Sequence, residues 1–433
     1  MSDSTLFTED YQVAPYWLEH VTPVDGLSPE LPAQADIAVI GSGYTGLNAA
    51  LTAQRGGRQV VVLEAGMPGF GCSTRNGGQI SAGVKPELAT LTQSYGATNA
   101  RAIIEESLAS LAWIKTSIAN EHISCDYKPC GLFNAAHSAR QFDAMCRDAE
   151  SLPHEGIDAI VIPKHEQRAE LGSDFYHGGL VFPQHASLHA AKYHQGLLLR
   201  CLDAGVIIVP YCKALHMNRA HSEHHIDTTL GALNANDVLI ATNGYTEQLT
   251  PWQQRRVIPI SSSIIATEPV AESVINELIP NDRTITDSRR VVFYYRASPD
   301  RSRILFGGRV AAGNIEPNIS ATKLHDEMVR VFPQLQATKI SHTWSGSVAY
   351  TFDKLPHAGK HDGIHYALGY CGSGVAMAGY LGMKMGYRLL GSDKGDTVFA
   401  NIAFKTRPLY SGKPWFLPPM IAAYRWLDRR EGG

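Results

Sequence analysis

Three glycines and one carboxylate near the start of the chain have the spacing of a nucleotide-binding motif. Gly41, Gly43 and Gly46 form G-x-G-x-x-G after an apolar run, and Glu64 ends the apolar run that follows. Glycine at these positions permits a tight turn, a close approach of the backbone to a pyrophosphate, and close packing of a helix on a strand. The helix N-terminus offers free N–H groups to phosphates, and the carboxylate accepts hydrogen bonds from ribose hydroxyls. The pattern predicts a βαβ unit that binds FAD or NAD; the alternative is a structural turn with a surface glutamate.

A second glycine-rich segment, residues 69–79, distinguishes between these cofactors. It reads Gly-Phe-Gly-Cys-Ser-Thr-Arg-Asn-Gly-Gly-Gln and gives a flexible backbone rich in donors just after Glu64. An NAD enzyme needs no second loop there, whereas a flavin extends further and needs hydrogen-bond donors at its ring. The segment therefore favours FAD over NAD, the alternative being a surface loop without a ligand.

Two later segments also place small residues where an apolar strand ends. Residues 237–241 lead into Thr242, Asn243 and Gly244, and residues 366–371 lead into a Gly-Ser-Gly turn at 372–374. The second segment continues into a helix of small residues, 376–386, whose N-terminus would expose N–H groups. The nucleotide-binding signals thus recur at the beginning, middle and end of the chain, which predicts that two domains interleave in sequence.

Periodicity predicts the elements that position these residues. Helical spacing occurs over about 99–121, 187–204 and 320–332, and residues 256–339 otherwise alternate apolar and polar. We predict an α/β fold in which a Rossmann-type FAD-binding domain is interleaved with a β-rich α+β substrate domain. The predicted bounds are 34–98, 185–255 and 340–400 for the FAD-binding domain, 99–184 and 256–339 for the substrate domain, 1–33 for an N-terminal arm, and 401–433 for an aromatic tail.

Composition narrows the class of protein. A chain of 433 residues with 44% hydrophobic and 18% charged content is typical of a globular protein of two domains. The net charge of −3, without a basic run interleaved with aromatics, argues against a nucleic-acid partner.

Seven irregularly spaced cysteines without C-x-x-C favour reduced thiols. There is no H-E-x-x-H, and His221, His224 and His225 fall in a polar stretch, so we expect a solvated loop there and no metal site. The opening residues lack a signal-peptide pattern and no apolar run approaches ~20 residues, so we expect a cytoplasmic protein.

Together these motifs resemble a known family. The G-x-G-Y-T-G-L pattern, the V-L-E-A that follows it and the Arg75-Asn-Gly-Gly-Gln segment are similar to the FAD-dependent D-amino-acid oxidase/glycine oxidase family. Segments 125–133, 294–308, 332–335 and 344–348 extend the similarity over nearly the whole chain. The resemblance implies the fold predicted above, FAD as cofactor, and oxidation of an amine. The branch that these segments resemble acts on γ-glutamylated amines such as γ-glutamylputrescine.

The resemblance also implies a role for each motif residue. The pyrophosphate would be held by Gly41, Ser42, Gly43, Thr45 and Gly46. The adenosine ribose would lie at Glu64. The flavin would be lined by Arg75, Asn76, Gly77, Gly78 and Gln79. Further cofactor contacts would come from Ala65, Ser73 and Thr74. The surroundings of the cofactor would further include Thr242, Asn243, Gly244 and Gly346. A helix N-terminus would meet the pyrimidine end of the flavin at Gly372, Ser373, Gly374 and Val375.

Three departures from the family pattern refine this expectation. The last motif carries no lysine after Gly374, so a small α-amino-acid substrate is disfavoured. Residues 344–352 contain no cysteine, and Arg75 stands where some relatives have a histidine. Relatives attach the flavin covalently through those residues, so we expect FAD to be bound non-covalently here.

The chemistry implied is transfer of a hydride from the α-carbon of a neutral amine to the flavin, followed by hydrolysis of the imine. The substrate-pocket candidates are Tyr294, Tyr295 and Arg296, with Trp344 a weaker one, and Arg296 would pair with a substrate carboxylate. The alternatives are a plain sheet face for the tyrosines and a surface salt bridge for Arg296.

Three other functions stay open from the sequence. They are oxidation of a cyclic or secondary amino acid such as L-pipecolate, an NAD-dependent enzyme, and a non-catalytic flavin-binding protein. The electron acceptor would be oxygen or a quinone. The aromatic tail would pack on the body or on a second subunit, with contact to a membrane as the alternative.

Overall fold

The computed structural model describes residues 6–82, 84–220, 223–309 and 316–432. Within these ranges the β-strands are β1 Phe7–Gln12, β2 Gln34–Ile40, β3 Val60–Leu63, β4 Gln79–Ile80, β5 Leu132–Ala135, β6 Ile160–Pro163, β7 Gly178–Phe182, β8 Ala186–Ser187, β9 Ile207–Val209, β10 Ala214–Ala220, β11 Glu223–Thr228, β12 Gly231–Ile240, β13 Ile258–Thr267, β14 Thr284–Asp287, β15 Phe293–Ala297, β16 Ile304–Gly308, β17 Ile340–Tyr350, β18 His357–His361 and β19 Ile364–Leu368. The α-helices are α1 Tyr44–Arg55, α2 Leu88–Asn120, α3 Ala139–Ser151, α4 Ala190–Asp203, α5 Pro251–Gln254, α6 Glu272–Leu278, α7 Pro317–Val331, α8 Gly374–Leu389 and α9 Leu417–Gly432.

A parallel sheet is formed by strands from the beginning, middle and end of the chain. Strands β19, β12, β2, β3 and β9 pair in parallel in that order, and β10 and β11 extend the N-terminal half of β12 as an antiparallel meander. All four residues of Val60–Leu63 are buried, as expected for a parallel strand covered on both faces. The predicted βαβ unit is confirmed as β2, α1 and β3.

The second large sheet is mainly antiparallel and has the order β1-β17-β13-β16-β15-β14-β5-β7-β6. One of its faces packs on α7 through a buried apolar cluster that includes Ile265, Phe306, Leu324 and Met328. The two sheets confirm the predicted combination of a Rossmann-type sheet with a β-rich part. Strand β17, which the predicted boundary at 340 assigned to the FAD-binding domain, pairs with β13 in this second sheet.

Most of the predicted helices are present, with different bounds. The helix expected over about 99–121 is the second part of α2, which already begins at Leu88 and is interrupted at Gly96, where φ is 80° and ψ is 159°. The predicted polar loop around the histidines is wrong for the two of them that the structure describes. His224 and His225 belong to β11, and His224 is buried because alternate residues of this strand face the core. His221 lies outside the described residues.

Small residues on α8 let it pack closely on α1. A Cβ at Gly382 would lie 2.3 Å from the carbonyl oxygen of Thr45, and one at Gly386 would lie 2.5 Å from Cβ of Thr52. Real side chains do not approach so closely, so only glycine permits this distance between the helix axes. This packing brings the N-termini of α1 and α8 to the same edge of the parallel sheet.

The first and last of the described segments pack on the body. Strand β1 extends the second sheet beside β17, and Trp17, in a 3₁₀ helix, is fully buried. Leu417 and Ile421 of α9 are buried against Ile258 of β13. The predicted tail therefore packs on the body through its apolar face. No described helix is long and apolar enough to cross a membrane.

Candidate active site

The G-x-G-x-x-G segment lies at the C-terminal end of β2. Gly41 has a φ of +104°, and a Cβ there would lie 3.1 Å from the carbonyl oxygen of Ala241, at the end of β12. A Cβ at Gly46 would lie 1.9 Å from the carbonyl oxygen of Gly41. Both positions therefore require glycine, and the edge where these strands end is where α/β sheets bind ligands.

The carboxylate of Glu64 is held by this glycine-rich turn. Its Oε2 accepts hydrogen bonds from the main-chain N of Ser42 (3.0 Å) and from Ser42 Oγ (2.7 Å), and its Oε1 accepts one from Gly66 N at 3.1 Å, across Ala65. The carboxylate thus has a fixed place beside the turn, where it can accept from the ribose of a nucleotide.

His194 is a supporting residue that the sequence pattern did not reveal. Its buried ring donates from Nε2 to the carbonyl oxygen of Ser42 at 2.8 Å. Burial lowers the pKa of His194, which keeps the ring neutral and suited to donate to a carbonyl. The same ring lies 2.9 Å from the place that a Cβ on Gly69 would occupy. Helix α4 therefore supports both glycine-rich segments through one side chain.

The segment 69–79 reaches the N-terminus of α1. Ser73 Oγ accepts from the main-chain N of Tyr44 at 3.0 Å, and a Cβ on Gly43 would lie 3.0 Å from the same oxygen. Gly43 is the N-cap and supplies no side-chain acceptor. Ser73 bonds the N–H of Tyr44, and the following N–H groups of the first turn, together with the positive end of the helix dipole, are left for a phosphate. This cradle fits the pyrophosphate of a dinucleotide.

The amide side chain of Asn76 fixes the shape of this second loop. Its Nδ2 donates to the carbonyl oxygens of Cys72 and Ser73, each at 3.0 Å, and its Oδ1 accepts from Gly78 N at 2.8 Å. Thr74 Oγ1 donates to the carbonyl oxygen of Gly69. These bonds hold the main chain of 72–78 in one conformation, as a preformed site requires.

Two buried tryptophans donate hydrogen bonds to the main chain of the loop 72–78. Trp17 Nε1 donates to the carbonyl oxygen of Asn76 at 2.8 Å, and Trp344 Nε1 donates to that of Arg75 at 3.0 Å. The guanidinium of Arg75 itself donates to main-chain carbonyls, including that of Ser345 at 3.2 Å. A Cβ on Gly346 would lie 2.9 Å from Sγ of Cys72 and 3.2 Å from Cβ of Arg75. Strand β17 therefore backs the loop, and Trp344 is a support for it.

The end of β12 joins the other parts of the site. Asn243 has a φ of 43°, and its Oδ1 accepts from Gly369 N at 3.0 Å, just after β19. A Cβ on Gly244 would lie 2.3 Å from the carbonyl oxygen of Ser347 on β17. Thr242 Oγ1 bonds Thr246 Oγ1 at 2.7 Å. The turn 242–244 therefore lies where the parallel sheet meets the second sheet.

The Gly-Ser-Gly turn opens α8 beside two residues that the sequence did not single out. Gly372 has a φ of +96°, and α8 begins at Gly374 after Ser373, whose side chain makes no capping hydrogen bond. A Cβ on Gly372 would lie 3.5 Å from the hydroxyl of Tyr350 and 4.0 Å from Cε of Lys85. A cation and a phenol thus flank the N-terminus that was predicted to face the flavin, and Val375 follows inside the helix.

Strand alternation separates the three predicted pocket residues. Tyr294 and Arg296 point to the side of the segment 77–79, and Tyr295 points to the opposite side. The ring of Tyr294 lies 3.1 Å from the place of a Cβ on Gly77, and its hydroxyl bonds Ser262 Oγ at 2.9 Å. Burial raises the pKa of Tyr294 to about 12, so the hydroxyl stays neutral. Tyr294 remains a candidate for contact with the substrate.

Tyr295 is not a pocket residue. Its ring is buried in the cluster beneath α7, stacked on Phe306 with 5.1 Å between centroids. Only its main chain touches the loop, because its carbonyl oxygen accepts from Gln79 Nε2 at 3.3 Å. The prediction of a pocket role fails because a strand turns adjacent side chains to opposite faces.

Arg296 is neither a surface salt bridge nor free to bind a substrate carboxylate. Its buried guanidinium donates to three main-chain carbonyls, those of Gly78 (3.1 Å), Leu188 (2.9 Å) and Ala297 (2.9 Å). Burial lowers the pKa of Arg296 because its charge is desolvated. The predicted carboxylate partner is therefore replaced by a clamp that fixes Gly78 against β15.

Arg309 is a cation beside Tyr294 and Tyr350 that makes no ion pair with the described residues. Its Cζ lies 4.5 Å from the ring centroid of Tyr350, and its positive charge acts on the Tyr294 hydroxyl. Among the described residues no carboxylate lies within ion-pair distance of Arg309, while its carbonyl oxygen accepts from Arg425 Nη2 at 3.1 Å. No sequence motif marks this residue, since its neighbours come from β15, β17 and α9.

Comparison with known families identifies the class of protein. Residues 36–388 match the model of the DAO family, described as FAD dependent oxidoreductase. The chain therefore belongs to this family and is an FAD-dependent oxidoreductase, as predicted. The cradle at Gly43, the fixed carboxylate of Glu64 and the second glycine-rich loop fit FAD.

Curated relatives match over most of their length. The chain is 30% identical over 420 residues to gamma-glutamylputrescine oxidoreductase of Escherichia coli. The aligned residues cover 95% of this chain and 96% of the relative. It is 32% identical over 404 residues to "Probable oxidoreductase OrdL" of Haemophilus influenzae, covering 91% of this chain and 92% of the relative.

Solved structures share the fold at lower identity. Glycine oxidase of Geobacillus kaustophilus superposes with a TM-score of 0.71 at 19% identity, covering 87% of this chain and 99% of that structure. L-proline dehydrogenase of P. horikoshii superposes with a TM-score of 0.68 at 17% identity, and the match covers 93% of this chain and 100% of that structure. These similarities confirm the predicted fold class.

Proposed function

We propose that this enzyme oxidises the C–N bond of an amine that also carries a carboxylate, with γ-glutamylputrescine or a related γ-glutamylated amine as substrate. The observation that carries the proposal is Arg309, a cation without an ion-pair partner among the described residues, beside Tyr294 and Tyr350. A guanidinium in such a place binds a carboxylate through charge-assisted hydrogen bonds. Arg309, and not Arg296 as predicted, would then bind the substrate carboxylate.

The side chains around this cation supply orientation. FAD, when bound, supplies the hydride acceptor of the reaction. Tyr294 offers a neutral hydroxyl held by Ser262, which can bond an amide or amine of the substrate but is a poor base. Arg309 holds the carboxylate end. Holding both ends of a substrate aligns its reacting C–H bond and lowers the entropic part of the barrier.

Similarity to a protein of known activity supports the substrate class. The E. coli relative named gamma-glutamylputrescine oxidoreductase aligns with 95% of this chain. Its name describes an amine acylated by a residue that bears a carboxylate, which is the chemistry that Arg309 fits.

An anaerobic panel of amines tests the proposal. The purified enzyme is mixed with γ-glutamylputrescine, N-acetylputrescine, putrescine or L-pipecolate, and the flavin absorbance near ~450 nm is followed. Rapid bleaching by γ-glutamylputrescine, with slower bleaching by N-acetylputrescine, which lacks the carboxylate, supports the proposal. Preferential bleaching by L-pipecolate would assign the enzyme to cyclic amino acids. A flavin that stays oxidised throughout an amine panel would indicate a binding protein without amine-oxidising activity.

The same sample tests two further proposals. We infer that FAD is held non-covalently, so acid precipitation should release the flavin into the supernatant, and flavin in the protein pellet would refute this. We also infer oxygen or a quinone as electron acceptor. Adding air or a soluble quinone to the bleached enzyme, in separate samples, distinguishes the two by the rate at which absorbance returns.

A further inference from the structure

A second cavity lies on the face of the large sheet opposite to Tyr294. It has a volume of about 360 Å³ and lies between α7 and α9. Phe293 and Val291 contribute to its wall from the start of β15, and Phe175 contributes from the segment before β7. Phe293 shares the face of Tyr295, so the strand separates this cavity from the candidate active site.

The charges that line the cavity do not balance. Lys323, Arg425 and Arg429 line it, and no carboxylate of the described residues lies within ion-pair distance of them. Of the described carboxylates in the lining, Asp326 alone has no cation partner. The other two are paired, Glu327 with Arg289 and Arg330 at 3.0 and 3.2 Å, and Asp428 with Arg290 at 3.0 Å. Three unpaired cations and one unpaired carboxylate leave an excess of positive charge that favours an anion.

Two buried donors in the lining have no acceptor among the described residues. The side chain of Arg289 is 10% exposed, and its Nη2 makes no hydrogen bond of good geometry, the nearby polar group being the buried Tyr176 hydroxyl, which is also unpartnered. The side chain of His137 is 3% exposed, and its Nε2 also lacks a partner, Glu431 lying 3.9 Å away. Ser288 Oγ accepts from the His137 main-chain N at 3.0 Å and lies 2.8 Å from Nδ1, so its hydroxyl proton is directed to Nδ1 and the ring proton lies on Nε2. Leaving buried donors unpaired is costly, so an acceptor supplied by a ligand would be stabilised there.

The guanidinium of Arg289 is held rigidly. Its Cζ lies 4.2 Å from the ring centroid of Phe293 and 5.5 Å from that of Phe175. Its Nε and Nη1 bond Asp287 and Glu327. These contacts leave only Nη2 for a ligand, and a donor held in a fixed position binds an oxyanion with little loss of entropy.

We propose that the cavity between α7 and α9 binds a small molecule through a phosphate group, either inorganic phosphate or a phosphate monoester. A phosphate offers several acceptor oxygens and about two negative charges to a lining rich in guanidinium groups. Lys323 and Arg429 are exposed at the rim and attract the phosphate by their positive charge. Arg289 and His137 offer hydrogen-bond donors to it in the buried part of the cavity.

Calorimetric titration of the full-length enzyme saturated with FAD tests this site. The probes are inorganic phosphate and adenosine monophosphate, at ionic strength matched with chloride. Saturation with FAD prevents the nucleotide from binding in the flavin site. We expect one equivalent of either probe to bind with a Kd below about 1 mM. Tighter binding of the nucleotide than of phosphate would assign the site to a phosphate monoester, and the reverse to free phosphate.

A double variant locates the binding. Lys323→Ala with Arg429→Ala removes the two exposed, unpaired cations and leaves Arg425, which bonds the Arg309 carbonyl, in place. Affinity should fall by about three- to fivefold for each exposed cation removed. The matched control is Arg101→Ala with Lys115→Ala on α2, which changes the net charge equally at exposed positions and should leave the affinity within about twofold.

The flavin spectrum and circular dichroism show that each variant is folded. Absence of binding of both probes to the unaltered enzyme overturns the proposal. So does an equal loss of affinity in the double variant and in its control, which would show a general effect of charge. Neither readout depends on amine turnover, so failure here is distinguishable from failure of the proposed function.

Discussion

Replacement of Arg309 by methionine should remove the preference of the enzyme for a substrate that bears a carboxylate. Methionine keeps most of the length and apolar volume of the arginine stem, and the main-chain carbonyl that accepts from Arg425 is retained. The stacking position over Tyr350 can still be filled. The substitution therefore removes the positive charge and its donors and leaves the surrounding packing intact.

The size of the effect follows from the surroundings of Arg309. A hydrogen bond to a charged group contributes about 1.5–3 kcal/mol, and each 1.36 kcal/mol corresponds to a factor of ten in rate. Arg309 is half-buried, so solvent screens part of the interaction and the lower half of this range applies. We expect kcat/KM for γ-glutamylputrescine to fall by about 10- to 50-fold.

The assay compares two substrates in the same variant. N-acetylputrescine keeps the acyl amide and the reacting amine but lacks both the carboxylate and the α-ammonium group of the glutamyl residue. Its kcat/KM should change by less than about twofold, because the charge removed in Arg309→Met meets no carboxylate in this substrate. Arg147→Met, at an exposed position on α3, serves as the matched control and should affect neither substrate. An equal fall for both substrates in Arg309→Met would refute the carboxylate contact, because it would show that the side chain acts on the site as a whole.

Three further outcomes follow from the described contacts. Gly46→Ala should abolish binding of FAD, measured as flavin absorbance per protein, because its Cβ would lie 1.9 Å from the carbonyl oxygen of Gly41; a variant with unchanged affinity for FAD would contradict the cradle. Arg296→Met should lower the free energy of unfolding, measured in urea, by about 3 kcal/mol, because three buried carbonyls lose their donor. The free energy of unfolding of Arg296→Lys should lie between those of the unaltered enzyme and Arg296→Met. Burial lowers the pKa of His185 from 6.5 to about 4, and its Nε2 accepts from Ala82 N, so the unfolded chain binds more protons than the folded chain between these values and stability falls as the pH decreases through this window. His185→Gln should therefore reduce the loss of stability between pH 7 and pH 5, measured in urea, by about 2 kcal/mol, and an unchanged loss would contradict the assigned shift.

The local parts of the fold were predictable because their causes are local. The turn at Gly41 needs a positive φ, and the close approach of Gly46 to the preceding carbonyl allows no side chain. Backbone sterics impose both requirements over six residues, so the spacing alone predicted β2, α1 and β3. The start of α2 at Leu88 was missed because Gly96 interrupts the helical pattern there.

The residues that contact the substrate were predicted less well than the cofactor motifs, because they are brought together by strands that are far apart in the sequence. The run Tyr294, Tyr295 and Arg296 indicated a polar strand, but period-two alternation allows either face to point to the cofactor. Only the pairing of β15 with β16 and β14 decides that Tyr295 enters the core and Tyr294 faces Gly77.

The family, the cofactor and the conformation of the glycine-rich turns were predictable from the sequence, since they depend on neighbouring residues and on backbone conformation. Which arginine beside Tyr294 can meet a carboxylate depends on contacts that only the folded chain forms. The guanidinium of Arg296 donates to main-chain carbonyls of two distant segments and has no donor left for a substrate. Arg309 lies beside Tyr350 without a carboxylate partner among the described residues. The physical reason is that the availability of a charge depends on every group around it, and those groups come from strands and helices far apart in the chain.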